Sequence, residues 1–286
     1  MSKALSEGTQ LAYKRAYKNF KAFAVEHDLP YVLPLHTEHV LCFISYLYDK
    51  GFPSSSIASI LSGIGYMHKQ GNLHDPTHDF SVMQLMTSIR KQRPSVDSRK
   101  PISENILFSI FDVLISFNLA YYDRLLLQSL YLFVFYFALR IGEVTKSEHN
   151  IQVNQVEIIE DKMSLAFVSY KHSPLQPFVH TIKATKTQYC PVNAMRKYMS
   201  VRGLEQGPLF VRMGKPLSQS YFSNYLKEAL NMAGIDNENI SAHSFRIGAA
   251  SFWASKGMSE LEIKRLGRWK SDAWKKYMRH DVNHIT

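Results

Sequence analysis

The sequence predicts a mainly α-helical chain with a small antiparallel β-sheet, built as an N-terminal helical bundle followed by a larger mixed α/β region. Three observations predict it. Apolar residues recur at helical spacing through residues 9–95. A polar, basic stretch from Arg90 to Pro101, broken by two prolines, interrupts that pattern. Beyond it, three short runs of β-type residues (151–159, 165–170 and 178–182) lie between further helical segments.

In the N-terminal part, Tyr13, Tyr17, Phe20 and Ala24 form one helical stripe, and Lys14, Lys18 and Lys21 lie away from it. Thr37 is the expected N-cap of a second helix ending near Gly51, with Leu41, Ile44 and Leu47 inward. A third helix carries Ile57, Ile60, Leu61 and Ile64 and stops before Gly71; a fourth runs from about Phe80 to Arg90. Four helices with short connections make a small bundle. The basic stretch that follows, with Arg90, Lys91 and Arg93, reads equally as an ordinary surface loop or as a linker able to lie across a polyanion.

In the second region, Ile106, Leu107, Ile110 and Leu114 predict a helix. The apolar run Leu125–Leu139 is flanked by Arg124 and Arg140 and interrupted by Gln128 and Ser129. A membrane span needs about 20 apolar residues, so a buried core helix is expected. The β-type runs follow, with Lys171-His-Ser-Pro-Leu-Gln-Pro177 as the turn between the last two. Pro191 opens a helix through Met199. Leu209–Val211 is a further short strand, and from Ser218 to Tyr277 the pattern is helical, punctuated at Gly234, Gly257 and Gly267.

Composition narrows the partners. The chain has 286 residues, 45% of them hydrophobic, and a net charge of +10 from 34 Lys+Arg against 24 Asp+Glu. With a pI near 9.4 and a mean hydropathy of −0.19, it favours a polyanion, nucleic acid before anionic membrane. Two cysteines, Cys42 and Cys190, cannot frame a disulfide scaffold, which points to a reducing, intracellular compartment. The first residues lack the apolar core of a signal peptide.

Chemistry gathers at two places. Arg140 closes the apolar run with Glu143 three residues on, where an i,i+3 pairing would fix the guanidinium as a planar fork for two phosphate oxygens. Taken alone, an arginine there more often caps carbonyls or pairs with a carboxylate. His243 and Arg246 share a face if their segment is helical, and Ser241 is placed to cap it. Trp269 and Tyr277 lie among Arg268, Lys270, Lys275 and Lys276. Aromatics interleaved with bases suit DNA, although a core tryptophan beside a solvated basic face is the plainer alternative. His280 and His284, with Asp281 alone beside them, make a poor metal site.

Ala138-Leu-Arg-Ile-Gly-Glu-Val144, His243-Ser-Phe-Arg246, Leu266-Gly-Arg-Trp269 and Tyr277, in this order, resemble the signature of the tyrosine recombinase (phage integrase) family. The wording Ala-His-Ser-Phe-Arg-Ile-Gly-Ala-Ala and Leu-Gly-Arg-Trp-Lys-Ser-Asp-Ala is similar to recombinases of eukaryotic mobile elements, DIRS-like and Crypton-like, which would make the location nuclear. The resemblance covers the whole chain. It implies a SAM-like core-binding domain at 1–92, a linker at 93–101 and a mixed α/β catalytic domain at 102–286, gripping opposite faces of double-stranded DNA.

The resemblance also implies roles. Tyr277 would attack a DNA phosphate, leaving a 3′-phosphotyrosyl link and a free 5′-hydroxyl. Arg140, Arg246, His243 and Trp269 would bind the phosphate, with His243 also able to take the tyrosine proton. Lys171, ahead of Lys183 and Lys186, would protonate the 5′-oxygen, and Glu143 would support. Lys14, Lys18, Lys21, Arg90, Lys91, Arg93, Arg268 and Lys270 are the expected DNA-contacting bases. No metal, cofactor, membrane or small-molecule substrate is implied; self-association as a tetramer on paired DNA sites is. Two departures stand out: Trp269 and Tyr277 are eight residues apart, one fewer than in bacterial members, and only nine residues follow Tyr277, where many members carry a longer docking helix. The rival readings are a domesticated, non-catalytic DNA-binding protein, a type IB topoisomerase and an unrelated basic scaffold.

Overall fold

A computed structural model describes residues 5–94, 97–168, 177–269 and 275. The chain divides into two compact units, Met1–Asp97 and Ser98–Thr286. The architecture is mainly helical with small antiparallel sheets, as the periodicity predicts.

The first unit holds α1 (Glu7–Glu26), α2 (Thr37–Asp49), α3 (Ser54–Gln70) and α4 (Phe80–Gln92). The side chain of Ser6 caps α1 by accepting the Thr9 N–H. The buried stripe of α1 is Ala16, Phe20, Phe23 and Ala24, and Tyr13 and Tyr17 are only half-buried at its margin. A Cβ on Gly63 of α3 would sit 2.7 Å from the Ala16 Cβ, so these two small residues set how closely α1 and α3 approach. Thr37 is the first helical residue of α2 and not its cap; its hydroxyl donates to the Asp79 carboxylate instead. Val40 and Phe43 join Ile44 and Leu47 in the core, and Leu41 is half-buried. His68, fully buried, donates through Nδ1 to the Ile64 carbonyl and accepts the Leu35 N–H at Nε2, both at 2.9 Å, which satisfies the ring and fixes its tautomer.

The second unit opens on a strap. Lys100 N–H donates to the Asn239 carbonyl at 2.9 Å and Ile102 N–H to the Ser244 carbonyl at 3.1 Å, while the Lys100 ammonium pairs with Asp236 at 2.6 Å. The end of the proline-broken stretch is therefore fastened to this unit and does not hang as a loop. Next come α5 (Glu104–Leu114), capped by Ser103, and α6 (Tyr121–Tyr136), which is buried on nearly every side. α6 stops three residues short of the end of its apolar run, because Ala138 takes a left-handed conformation with φ of 47°.

α7 (Ile141–Val144) is a single turn. β1 (Val156–Ile159), β2 (Lys162–Phe167) and β3 (Phe178–Lys183) form an antiparallel meander, with Val156 opposite Leu165 and Leu165 opposite His180. The first β-type run is strand only in its second half; Val153–Gln155 form a 3-10 turn, because Gln152 and Gln155 close a capping box over it. Met163, Leu165, Phe167, Phe178 and Ile182 bury one face of the sheet, the alternation a half-buried sheet requires. The turn between β2 and β3, with Lys171, lies outside the described residues. α8 (Pro191–Arg202) follows, and then β4 (Val211–Arg212) pairs with β5 (Lys215–Pro216). α9 (Gln219–Met232), α10 (Ala242–Ser255) and α11 (Glu260–Gly267) complete the unit. A Cβ on Gly248 of α10 would lie 1.7 Å from the Ile102 carbonyl oxygen, so only glycine lets the strap cross that helix.

Candidate active site

Four chain segments converge: the turn after α6, the single turn α7, the helix α10 and the end of α11. Arg140 stands at the N-cap of α7, and Glu143 reaches back to accept its backbone N–H at 2.7 Å. This is the acidic half of a capping box, the Glu143 N–H donating to the Arg140 carbonyl at 2.8 Å, and it aims the Glu143 carboxylate into the site. The same carboxylate lies 3.5 Å from Arg140 Nη1, so the i,i+3 pairing is present.

Arg246 projects from α10 into the interior and is 2% exposed. Its Nη1 donates to the Ala138 carbonyl, and its Nη2 to the Gly267 carbonyl at 2.6 Å. The left-handed turn at Ala138 delivers that carbonyl. Ser241 caps α10, accepting the His243 N–H, while Ser244 Oγ accepts the Ser241 N–H at 3.0 Å. His243, half-buried, stands one turn before Arg246.

Arg268 departs from the expectation. Grouped by sequence with Lys270 as a DNA-contacting base, it is buried, with 1% side-chain exposure. It is the C-cap of α11, left-handed at φ 55° and ψ 44°, and this turn sends its side chain inward. Its guanidinium meets Glu143 Oε2 at 2.5 Å, the Leu266 carbonyl at 2.7 Å and the ring of Phe167 at 4.3 Å. Its own carbonyl accepts Arg140 Nη2 at 3.3 Å. Trp269 lies flat over Gly267, where a Cβ would come within 1.8 Å of the indole, and its ring stands 4.7 Å from the Arg246 guanidinium. Lys270 and Tyr277 lie outside the described residues.

Three guanidinium groups therefore surround one carboxylate. Burial alone would raise the Glu143 carboxyl, but the Arg268 charge, the Arg140 N–H and the Arg140 and Arg246 charges hold it below the usual carboxylate range. Among the described residues, the three arginines and Glu143 together carry an excess of two positive charges. Of the three arginines, Arg140 is the accessible one, with 29% side-chain exposure. A site with that excess, and one guanidinium partly exposed, suits an anion.

His180 on β3 escaped the reading of the sequence. Burial pushes its imidazole down to about 4, with Glu262 opposing and Arg268 adding to the shift. It sits edge-on between the rings of Phe137 and Trp253, at 5.8 and 5.9 Å. The period-two pattern Phe178, His180, Ile182 carried the signal. In the first unit, Lys14, Lys18 and Lys21 are exposed on α1 and Arg90 and Lys91 on α4, so all five are open to solvent. Arg93 is partly engaged, stacked 3.8 Å over the Tyr48 ring while donating to that residue's carbonyl.

The model of the phage integrase family matches residues 102–284. Over 285 residues the chain is 22% identical to an integrase/recombinase xerD homolog of Selenomonas ruminantium, covering 95% of this chain and 81% of that protein. Its fold is similar to that of a lambda integrase dimer bound to a COC' core site, with a TM-score of 0.66 and 16% identity over 99% of this chain and 74% of that one. It is similar in the same degree, TM-score 0.66 and 15% identity, to XerH recombinase bound to palindromic difH, covering 93% of this chain and 74% of that one.

Proposed function

Because this chain belongs to the phage integrase family, we propose that it is a site-specific DNA recombinase that cleaves and rejoins strands through Tyr277. The observation that carries the proposal is the gathering of Arg140 and Arg246 near the Glu143 carboxylate, with the Trp269 ring beside the Arg246 guanidinium and His243 one turn from Arg246. The Tyr277 phenolate attacks phosphorus, the bond to the 5′-oxygen breaks, and Lys171 protonates that oxygen. The product is a 3′-phosphotyrosyl link and a 5′-hydroxyl; attack by another 5′-hydroxyl reverses the step and restores the tyrosine. A free phenol has a pKa of about 10, so His243 takes its proton as attack begins. Arg140 and Arg246 neutralise the charge growing on the nonbridging oxygens, each donor worth roughly 3–4 kcal/mol in such a site. Trp269 supplies one indole N–H and walls the pocket.

In this reading residues 1–92 form the core-binding domain, 93–101 the linker and 102–286 the catalytic domain. Lys14, Lys18, Lys21, Arg90, Lys91, Arg93 and Lys270 contact the duplex, and protomers assemble as a tetramer on paired sites. Several of the structural relatives are described as complexes with DNA, one of them a lambda integrase tetramer bound to a Holliday junction, which supports that assembly. The motif wording, similar to recombinases of eukaryotic mobile elements, supports a source of that kind, for which the location would be nuclear.

The test is covalent trapping. The protein is incubated with a randomised duplex library and stopped with detergent, and DNA retained on protein is sequenced. Wild type should retain DNA by its 3′ end; Tyr277→Phe should bind duplex but retain none. Retention by Tyr277→Phe at wild-type yield would mean another nucleophile, and binding without retention by wild type would mean a domesticated, non-catalytic protein.

A further inference from the structure

We propose that Arg268 is a positioning residue: through Glu143 and its own carbonyl it holds Arg140 in the orientation that presents the guanidinium fork to a phosphate. The proposal rests on the phosphate-binding reading of the site. Arg268 cannot itself meet DNA, because its side chain is 1% exposed. What it does instead is close a ring of contacts. Its Nη2 holds Glu143 Oε2 at 2.5 Å; the same oxygen accepts the Arg140 N–H at 2.7 Å; and Arg140 Nη2 returns to the Arg268 carbonyl at 3.3 Å. Both the side chain and the main chain of Arg268 are thus engaged with the Arg140–Glu143 pair.

The backbone is bent to make this possible. Arg268 is left-handed, a conformation usually left to glycine or asparagine at a helix C-terminus. Ala138, whose carbonyl takes Arg246 Nη1 and lies 3.4 Å from Arg268 Nη2, is left-handed as well. Two non-glycine residues in that region, facing the same pair of buried guanidinium groups, mark the place where packing overrides backbone preference. The Phe167 ring, 4.3 Å from the Arg268 guanidinium, closes the remaining side. Lysine could keep the charge but not the planar fork that reaches Glu143, Leu266 and Ala138 together.

The experiment uses the full chain and a duplex recovered by trapping on wild type. Arg268→Gln should slow single-turnover cleavage at saturating duplex by about 100-fold, the cost of a small misplacement of a reacting-site group. Duplex affinity by fluorescence anisotropy should stay within about threefold, since Arg268 contacts no DNA, and Arg268→Lys should recover part of the rate. Carbon-detected titration of the Glu143 carboxyl, which faces Arg140, Arg246 and Arg268, should move upward in Arg268→Gln and much less in Arg268→Lys. The Arg140 Nε–Hε resonance should broaden in step. Combining Arg268→Gln with Glu143→Gln should cost no more than the worse single change, because both act through one chain of contacts. Cleavage by Arg268→Gln at the wild-type rate overturns the proposal, and so do multiplying penalties in the double variant or a rate loss with the Arg140 resonance unchanged. If Arg268→Gln does not fold, an unchanged Arg140 resonance and wild-type cleavage in Arg268→Lys overturn it. If wild type never cleaves DNA, the recombinase reading fails, while the Glu143 and Arg140 signals still decide whether Arg268 positions them.

Discussion

Glu143→Gln should destabilise the C-terminal unit by about 3 kcal/mol, the low end of the cost of breaking a buried ion pair from one side. The low end applies because much of the geometry survives. The glutamine oxygen can still accept the Arg140 N–H, and Arg268 keeps the Leu266 and Ala138 carbonyls. What is lost is the only carboxylate that the described contacts place among the three guanidinium groups. At about 2–4 °C per kcal/mol for a unit of this size, calorimetry at pH 7 should show the transition of residues 98–286 lowered by about 6–12 °C. The pH dependence has a definite sign. The folded Glu143 carboxyl lies below its unfolded value, so its contribution is fully present above about pH 4.3 and fades as pH falls through the folded value. The gap between wild type and variant should therefore narrow on acidification. A gap under about 1 kcal/mol at pH 7, the worth of an exposed pair, would refute the reasoning. A gap that widens in acid would refute it too.

Arg140→Lys should keep the fold but lose about 100- to 1000-fold in covalent trapping rate, because a point charge replaces a two-pronged donor; a rate near wild type would remove Arg140 from phosphate binding. Gly248→Ala should cost about 3 kcal/mol or more by driving a methyl group into the Ile102 carbonyl, read as a lowered midpoint in urea. His180, held down to about 4 by burial, binds its proton more readily unfolded, so stability should fall as pH drops from about 6.5 toward 4, by at most about 3 kcal/mol. His180→Phe, matching its aromatic neighbours, should flatten that slope in pH-dependent denaturation.

The helical bundle, the meander and the motif order were legible because they rest on local periodicity and on residue types with narrow chemistry. The pairs Arg140 with Glu143 and His243 with Arg246 are legible from a spacing of three residues, and Ser241 from its place ahead of a helix, the range over which caps and helix faces operate. Arg268 was misread because its exposure depends on a left-handed turn, which a basic residue among bases does not announce. A trace existed in the separation from Tyr277. Trp269 falls eight residues before it and Arg268 nine, so the residue of expected spacing is the one now seen at the centre of the contacts. His180 and Phe23 were missed for a different reason. Each is fixed by tertiary packing, His180 by rings of Phe137 and Trp253 that are distant in the chain, and Phe23 by Phe43 and Tyr46.

The strap has a mechanical side. The chain enters the C-terminal unit through Ile102, whose N–H is bonded to Ser244, one residue from His243 and two from Arg246, and whose carbonyl lies against Gly248 one turn further along α10. A displacement of Lys100–Ile102 is thus felt first by the helix that carries two of the site's side chains, and not by a remote loop.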